Sequence, residues 1–416
     1  MTEPPTQAGT ETHLLHLLRA RPALRSYLTI RAADELGAQM LNVAIGWYLY
    51  SVTHNPMSLA YVGIAQFLPN LAMLLVAGQA ADRFDRRKLV GASLLVQTLC
   101  LAAFSAWAAT KTSSVAPVYE LLVLVGSARA FSFPSMSATL PHAVEKEEFP
   151  RAVAAASSTF QICSIVGPAI GGVIYAFSGP AVFMTATVLY LFAATQTRLL
   201  PVGHRMPEDT DGAADKSIFG GVRYIRSNRL LLSLISLDLF AVLLGGVTAL
   251  LPIYARDILA VGPIGLGCLR CAPGVGAAVV GLLLAHRTIK GGAGKLMLGC
   301  VASYGVATIV FAVSKSIWLS MAALALAGGF DMVSVVIRQT LVQVSTPDAM
   351  RGRVSAVNWA FIGASSELGE FESGVTAALF GTVPAALLGG IGTLLVVGLW
   401  AKIFPELPRA DKLVAS

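Results

Sequence analysis

Long apolar runs separated by short polar segments make up most of the 416-residue chain. A membrane-spanning α-helix needs about 20 mostly apolar residues, and many of these runs are that long. Strict alternation of apolar and polar positions, which is typical of membrane β-barrels, is absent. The pattern therefore predicts an all-α membrane protein with twelve transmembrane helices. The predicted spans are 26–50, 57–80, 89–110, 118–141, 152–177, 180–199, 229–253, 263–285, 294–313, 317–342, 354–378 and 381–403.

Composition and charge agree with this pattern. Hydrophobic residues account for 55% of the chain and charged residues for 13%, whereas an ordinary soluble domain has roughly 25% charged residues. Most of the 30 Lys and Arg residues lie in loops on one side of the predicted spans. Positive loops face the cytoplasm, so we expect both termini to be cytoplasmic in a multi-pass protein of the inner membrane. The net charge of +7 is thus topological, and no nucleic-acid partner is predicted.

The chain is predicted to consist of two related halves. "GIAQFLP" at 63–69 aligns with "GCLRCAP" at 267–273, and Gly126 aligns with Gly328 when the second half is laid over the first. Matches in order at nearly one offset indicate an internal duplication. We therefore predict two pseudo-symmetric six-helix bundles. The predicted segments are an N-terminal stretch 1–25, a bundle 26–199, a cytoplasmic linker 200–228, a second bundle 229–404 and a cytoplasmic tail 405–416.

A dense group of charges, "GQAADRFDRRK" at 78–88, follows the second predicted span. It resembles the loop signature of the major facilitator superfamily, although Asp85 stands where the pattern usually has Gly. The resemblance implies a cytoplasmic latch, in which Asp82 faces the start of the eleventh helix and the arginines pair with acids. The latch residues would be Gly78, Asp82, Arg83, Arg86 and Arg87. The alternative is a topological anchor that needs only positive charge.

A second signature, "CSIVGPAIGG" at 163–172, resembles the helix motif of export-type members of this superfamily. Small residues allow helices to approach closely, and a proline loosens the helix, so we expect a hinge. The hinge residues would be Gly167, Pro168, Gly171 and Gly172, with ordinary close packing as the alternative. Other stretches, such as "GGVRYIRSNRLLLSLISLDLF", are most similar to the subgroup that contains the enterobactin exporter and macrolide-efflux-like proteins.

The resemblance implies a secondary transporter that works by alternating access. Efflux of a siderophore, drug or other amphipathic small molecule is the expected function. Uptake or facilitated diffusion, and a transporter-like sensor without flux, remain open alternatives. No P-loop is present, so we expect protons rather than a bound cofactor to supply the driving force.

Acidic residues within the spans are the expected proton carriers, because an ionisable group inside a membrane is costly unless it is used or paired. The candidates are Asp34, Glu35, Asp238, Asp331, Glu367 and Glu370. Arg31 lies one turn before the first two, so an intrahelical salt bridge is an equal alternative there. Asp238 either titrates or has a partner on another helix. Asp331 occupies the position in the second half that Arg129 holds in the first, so the two halves carry opposite charges at equivalent positions. The two residues are candidates for a pair between the halves, which would act either as a switch or as a permanent contact.

Basic and aromatic residues within the spans suggest how a substrate is held. Arg31 and Arg129 would attract an anionic or catecholate-like solute, and three aromatic residues would form an amphipathic wall. These aromatic residues are Phe160, Phe240 and Trp359. No His, Cys and acid cluster has metal spacing, so neither a metal site nor an enzyme is predicted. The expected partners are a small-molecule substrate and the lipid bilayer, and the protein is expected to be a monomer.

Overall fold

The computed structural model describes residues 20–110, 114–201, 218–286 and 291–410. In these ranges the regular structure is helical, with no β-strand. The longer helices are α1 (Pro22–Thr53), α2 (Pro56–Arg83), α3 (Arg86–Ala109), α4 (Ala116–Ser137), α5 (Phe149–Phe177), α6 (Gly179–Gln196), α7 (Ile218–Ser227), α8 (Arg229–Gly245), α9 (Gly262–His286), α10 (Ala293–Val313), α11 (Ile317–Val344), α12 (Asp348–Phe380) and α13 (Thr382–Ile403). Between α8 and α9, short 3₁₀, α and π turns continue the chain to Ile258.

Among the described residues, nine helical stretches are long and apolar enough to cross a membrane. The predicted spans 26–50, 57–80 and 354–378 are helical too, within α1, α2 and α12, but they are not among the nine. Charged residues inside α1 and α12 lower the hydropathy of these helices. The predicted positions of the helices are therefore matched, whereas apolarity alone supports nine of the twelve as spans.

Packing divides the chain into two compact units. The first unit contains the described parts of 1–45 and 65–207, and the second contains those of 46–64 and 208–416. The division falls within the predicted linker, of which 202–217 lie outside the described residues. Residues 46–64 pack with the second unit, whereas the prediction assigns them to the first bundle. The reason is close contact through small residues: a Cβ on Gly374 would lie 2.9 Å from the backbone of Ala60. The bounds of the two predicted bundles stay a prediction.

The first unit is organised around α3, which packs against α4 and α6. Phe104 of α3 and Phe183 of α6 stack in its core with ring centroids 5.6 Å apart. Helix α3 begins where it does because the side chain of Asp85 accepts a hydrogen bond of 2.9 Å from the backbone N–H of Arg87. This capping carboxylate satisfies one of the free N–H groups at the helix start.

The second unit is built on contacts of α11 with α9 and α10, and of α13 with α8 and α10. Glycines allow the close approach of α9 and α11, because a Cβ on Gly328 would lie 2.0 Å from the carbonyl oxygen of Pro273. In the first unit, a Cβ on Gly126 would lie 2.4 Å from the carbonyl oxygen of Gln66. The two glycines that the sequence repeat aligns thus make the same kind of contact in both units.

Two segments predicted to be linker or tail are helical. Helix α7 lies within the predicted linker and packs on α12, where a Cβ on Gly221 would lie 2.9 Å from the carbonyl oxygen of Arg353. In the predicted tail, Glu406–Arg409 forms a short helix and the side chain of Leu407 is fully buried. Apolar residues at helical spacing explain the first difference, since they gain stability by packing on the bundle. Burial of Leu407 accounts for the second.

Candidate functional site

A polar cavity of about 220 Å³ lies inside the second unit, between α8, α10, α11 and α12. Three charged side chains reach this cavity, and a tyrosine and two serines add hydroxyl groups. Its lining consists of Asp238, Ala241, Val242, Val301, Tyr304, Asp331, Ser334, Val335, Arg338, Ile362 and Ser366. Charged groups are expensive within a membrane, so this combination identifies the cavity as the candidate site of the second unit.

An ion pair between two helices forms one wall of the cavity. Nη1 of Arg338 in α11 contacts Oδ2 of Asp238 in α8, and the two side chains are only 3% and 11% exposed. Of the two alternatives for Asp238, the structure therefore shows a partner on another helix. Removing one member of a buried pair leaves an uncompensated charge, so the two residues depend on each other.

Asp331 provides a second carboxylate in the same cavity. It lies seven residues before Arg338 in α11, which is about two helical turns, so both residues project from one face of the helix. Asp331 is the more exposed of the two carboxylates, since the side chain of Asp238 is only 11% exposed. Nearby, the hydroxyl of Tyr304 donates a hydrogen bond of 3.0 Å to the carbonyl oxygen of Gly245. The cavity thus holds two carboxylates and one guanidinium.

In the first unit, α1 carries the predicted pair of acids. Glu35 is buried, with 7% exposure, and its Oε1 accepts a hydrogen bond of 2.7 Å from Nε2 of Gln39 on the same helix. Oδ1 of Asp34 is buried and accepts no hydrogen bond from the described residues. The hydroxyl of Tyr190 in α6 donates to the backbone carbonyl of Asp34, with a separation of 3.1 Å. Because Glu35 and Oδ1 of Asp34 are buried, these two acids form a second candidate site, which lies in the first unit.

Arg31 is not held by these acids. Its guanidinium carbon lies 5.1 Å from the ring centroid of Phe160 in α5, an arrangement that permits a cation–π interaction. No salt bridge joins Arg31 to Asp34 or Glu35 within the described residues. The structure therefore brings together two of the predicted substrate-binding residues and does not show the intrahelical salt bridge.

The charged residues of α12 divide between two faces. Glu370 interacts electrostatically with Arg270 of α9, and a Cβ on Gly63 would lie 3.7 Å from the Cβ of Glu370. Glu367 lies one turn before Glu370, and its carbonyl oxygen also faces Gly63. Glu372 accepts a hydrogen bond of 2.7 Å from the hydroxyl of Thr376. Arg270 was not predicted as a site residue, although an arginine within a predicted apolar span was the available signal.

Two predicted aromatic residues lie outside the lining of the cavity. Phe240 packs against Trp400 of α13, with ring centroids 5.1 Å apart. It is two residues from Asp238, which places it about 200° around α8 from the ion pair. Trp359 of α12 is exposed. Arg129 and Asp331 belong to different units, and the pair predicted between them stays a prediction.

The predicted hinge in α5 packs tightly on α1. A Cβ on Gly167 would lie 2.7 Å from the Cβ of Gln39, and one on Gly171 would lie 3.0 Å from the Cα of Met40. Both glycines are buried, as are the neighbouring Pro168 and Gly172. Close packing of α5 on α1 therefore explains Gly167 and Gly171, while hinge motion remains a prediction.

The predicted latch lies where α2 ends and α3 begins. Nη1 of Arg86 and Nη1 of Arg87 each donate a hydrogen bond of 3.3 Å to a backbone carbonyl, that of Ala138 and that of Arg198 respectively. Among the described residues, these two arginines thus donate to backbone carbonyl groups, and the pairing with acids that the resemblance implies stays a prediction. Arg83 is exposed, and a Cβ on Gly78 would meet no described atom within 4 Å.

The side chain of Asp82, the remaining latch residue, lies outside the part of the structure that is described. Its contact with the start of the eleventh helix stays a prediction.

Within the described ranges, no group of three or more His, Cys, Asp or Glu is placed to hold a metal ion. The cysteines of the "CLRC" stretch, Cys268 and Cys271, are free of disulfides.

Comparison with protein families identifies the chain. The model of the transmembrane secretion effectors, a family of the major facilitator superfamily, matches residues 20–416. The chain belongs to this family. Among curated relatives of this transmembrane secretion effector is the enterobactin exporter EntS of Escherichia coli O139:H28, which is 26% identical over 410 residues that cover 95% of each chain. The same protein from Escherichia fergusonii shows the same identity and coverage.

Solved structures show the same fold for this transmembrane secretion effector. A bacterial homologue of the human lysosomal transporter Spinster, in an inward-facing and unoccupied conformation, superimposes with a TM-score of 0.70 at 13% identity, covering 93% of this chain and 96% of that chain. The nucleoside transporter NupG gives a TM-score of 0.70 at 12% identity, covering 92% and 99%. The protein is thus a multi-pass membrane protein of a transporter family rather than of an enzyme family.

Proposed function

We propose that this transmembrane secretion effector exports an amphipathic small molecule across the inner membrane in exchange for protons. It does so by alternating access, as a monomer with both termini cytoplasmic. The observation that carries the proposal is the cavity of the second unit, which is lined both by the pair of Asp238 with Arg338 and by a second carboxylate, Asp331. A cavity with one more carboxylate than cation is suited to accept a proton.

The ion pair supplies a way to couple protonation to a change in packing. When Asp238 or Asp331 takes up a proton, the electrostatic attraction between the carboxylates and the guanidinium of Arg338 decreases. The pairing between α8 and α11 then weakens. A bistable contact of this kind is what a transporter needs in order to exchange two arrangements of its helices. The other acids, Asp34, Glu35, Glu367 and Glu370, are secondary candidates for carrying protons. We assign the hinge role to α5 and the latch role to the loop before α3.

The proposed substrate class follows from basic and aromatic side chains of the first unit. Arg31 over Phe160 in the first unit provides a cation beside an aromatic surface. Arg129 adds a second positive charge near Glu35 in the same unit. Such groups favour an anionic aromatic solute, and a catecholate siderophore is one, which agrees with the exporter among the relatives. We therefore place catecholate siderophores first and amphipathic drugs second.

Reconstitution in liposomes tests the proposal. The purified protein is given a pH gradient, and the flux of a catecholate siderophore and of a set of amphipathic dyes is measured. Asp331→Asn should abolish gradient-driven flux but retain substrate counterflow without a gradient, because the fold and the substrate contacts persist. Glu372→Gln is the matched control, since this acid already has a partner in Thr376 and should leave the flux unchanged.

Other outcomes would refute the proposal. Gradient-driven flux that survives Asp331→Asn and the pairwise replacement Asp238→Asn with Arg338→Gln would remove the proton role of the cavity. Accumulation on the side that protons enter, rather than the side they leave, would indicate uptake together with protons. A folded protein that moves no member of the panel in either orientation would support the sensor alternative.

A further inference from the structure

A second cavity, of about 460 Å³, lies at one end of the first unit. It is formed where α3 begins and where a 3₁₀ turn, Thr197–Leu199, follows α6. Its lining consists of Arg87, Lys88, Gly91, Ala92, Leu95, Thr197 and Arg198. We name it the basic groove. The proton exchange proposed above does not involve this groove.

Specific contacts join the two elements that line the groove. Thr197 is buried, and its hydroxyl donates a hydrogen bond of 2.7 Å to the carbonyl of Ala194, which fixes the 3₁₀ turn. A Cβ on Gly91 would lie 3.2 Å from Oγ1 of Thr197, so the glycine lets this turn approach α3. Arg87 donates to the carbonyl of Arg198 across the groove. Two elements of the unit are thus joined around one concave surface.

The lining changes from basic to apolar along α3. Residues 87 and 88, 91 and 92, and 95 are spaced four apart, so they form one stripe on the helix surface. Leu95 lies about 12 Å farther along the helix than Arg87, at 1.5 Å per residue, and is 49% exposed. Lys88 and Arg198 are exposed at the basic end. Helix α3 itself carries no acidic residue, and the carboxylate of Asp85, which precedes it, is engaged in capping the helix.

We propose that the basic groove binds an anionic phospholipid, with the phosphate at Arg87, Lys88 and Arg198 and an acyl chain along the stripe that ends at Leu95. Basic pockets between transmembrane helices on the cytoplasmic side are suited to such head groups. The apolar end favours a lipid over a soluble phosphate, which would gain nothing from Leu95. The basic end faces the cytoplasmic leaflet, because the positive loops place it there.

Native mass spectrometry of the full-length protein tests this site. The protein is placed in nanodiscs of phosphatidylcholine mixed with an equal part of phosphatidylglycerol, and the lipids that remain bound after ejection are counted. The wild-type protein should retain phosphatidylglycerol in preference to phosphatidylcholine. Lys88→Gln and Arg198→Gln should each weaken that retention about five-fold, as expected for the loss of one basic residue near an anionic surface.

Arg151→Gln is the matched control, because Arg151 is an exposed basic residue of the same unit that does not line the groove. If Arg151→Gln weakened the retention of phosphatidylglycerol as much as Lys88→Gln does, only overall charge would matter and the proposal would fail. Equal retention of both lipids by the wild-type protein would also overturn it. Inorganic phosphate is added in a separate arm. Displacement of the lipid by millimolar phosphate would indicate a soluble-anion site instead.

Discussion

The ion pair between Asp238 and Arg338 yields the sharpest prediction about stability. Both side chains are almost fully buried, so solvent screens their interaction little. Removal of one member of such a pair destabilises a protein by about 3–5 kcal/mol, because the remaining charge stays buried without compensation. Arg338→Gln should reach this range, since it leaves two carboxylates, Asp238 and Asp331, facing one cavity without a cation.

Asp238→Asn should cost less, about 1–3 kcal/mol, because Arg338 retains Asp331 as a second acid on the same helix face. The double variant Asp238→Asn with Arg338→Gln should be more stable than the sum of the two single effects predicts, by about 1–3 kcal/mol. The order of the two single effects is therefore a test of the role of Asp331 as well as of the pair.

The assay is equilibrium unfolding in mixed micelles, followed by tryptophan fluorescence at neutral pH and at two salt concentrations. Salt should change the coupling energy little, since buried pairs are screened much less than exposed ones. Arg226→Gln, which removes an exposed arginine of α7, is the control and should stay within about 0.5 kcal/mol of the wild-type protein. Additive single effects, or a larger loss for Asp238→Asn than for Arg338→Gln, would refute this reasoning.

Other predictions concern packing and capping, and the same unfolding assay measures each of them. Gly328→Ala should destabilise the protein by about 1–3 kcal/mol, because the new Cβ would overlap a carbonyl oxygen of α9. Gly299→Ala, with no described atom within 4 Å of the new Cβ, should stabilise α10 by about 0.5–1 kcal/mol. Asp85→Ala should cost about 1 kcal/mol through loss of the helix cap, whereas Asp85→Gly should cost only a few tenths. Tyr50→Phe should cost about 1 kcal/mol, because its hydroxyl donates a hydrogen bond to Asp257.

The positions of the long helices were predictable because hydrocarbon requires apolar side chains over a fixed length, and this requirement acts locally along the chain. The acids were predictable as site candidates for the same reason. Their partners were not, because a pair between α8 and α11 joins residues a hundred positions apart. One signal was available: Asp331 and Arg338 are seven residues apart and must share a helix face.

Helical geometry also explains why Phe240, one residue of the predicted aromatic wall, does not line the cavity. Phe240 and Asp238 lie two residues apart, about 200° around α8, so both cannot face one cavity. The structure places Phe240 against Trp400, away from the ion pair. The grouping of 46–64 with the second unit was beyond the sequence, since it depends on contacts such as that of Ala60 with Gly374, where two small residues let backbones meet.

The two acids that the predicted repeat aligns have different surroundings in the structure. Asp34 and Asp238 are aligned by the repeat, yet Asp238 has an arginine from another helix, while Oδ1 of Asp34 is buried without a donor among the described residues. The arginine nearest to Asp34 in sequence, Arg31, is turned toward Phe160 instead. In the second unit the carboxylate is paired with a cation, whereas in the first the hydroxyl of Tyr190 donates to the backbone carbonyl of Asp34.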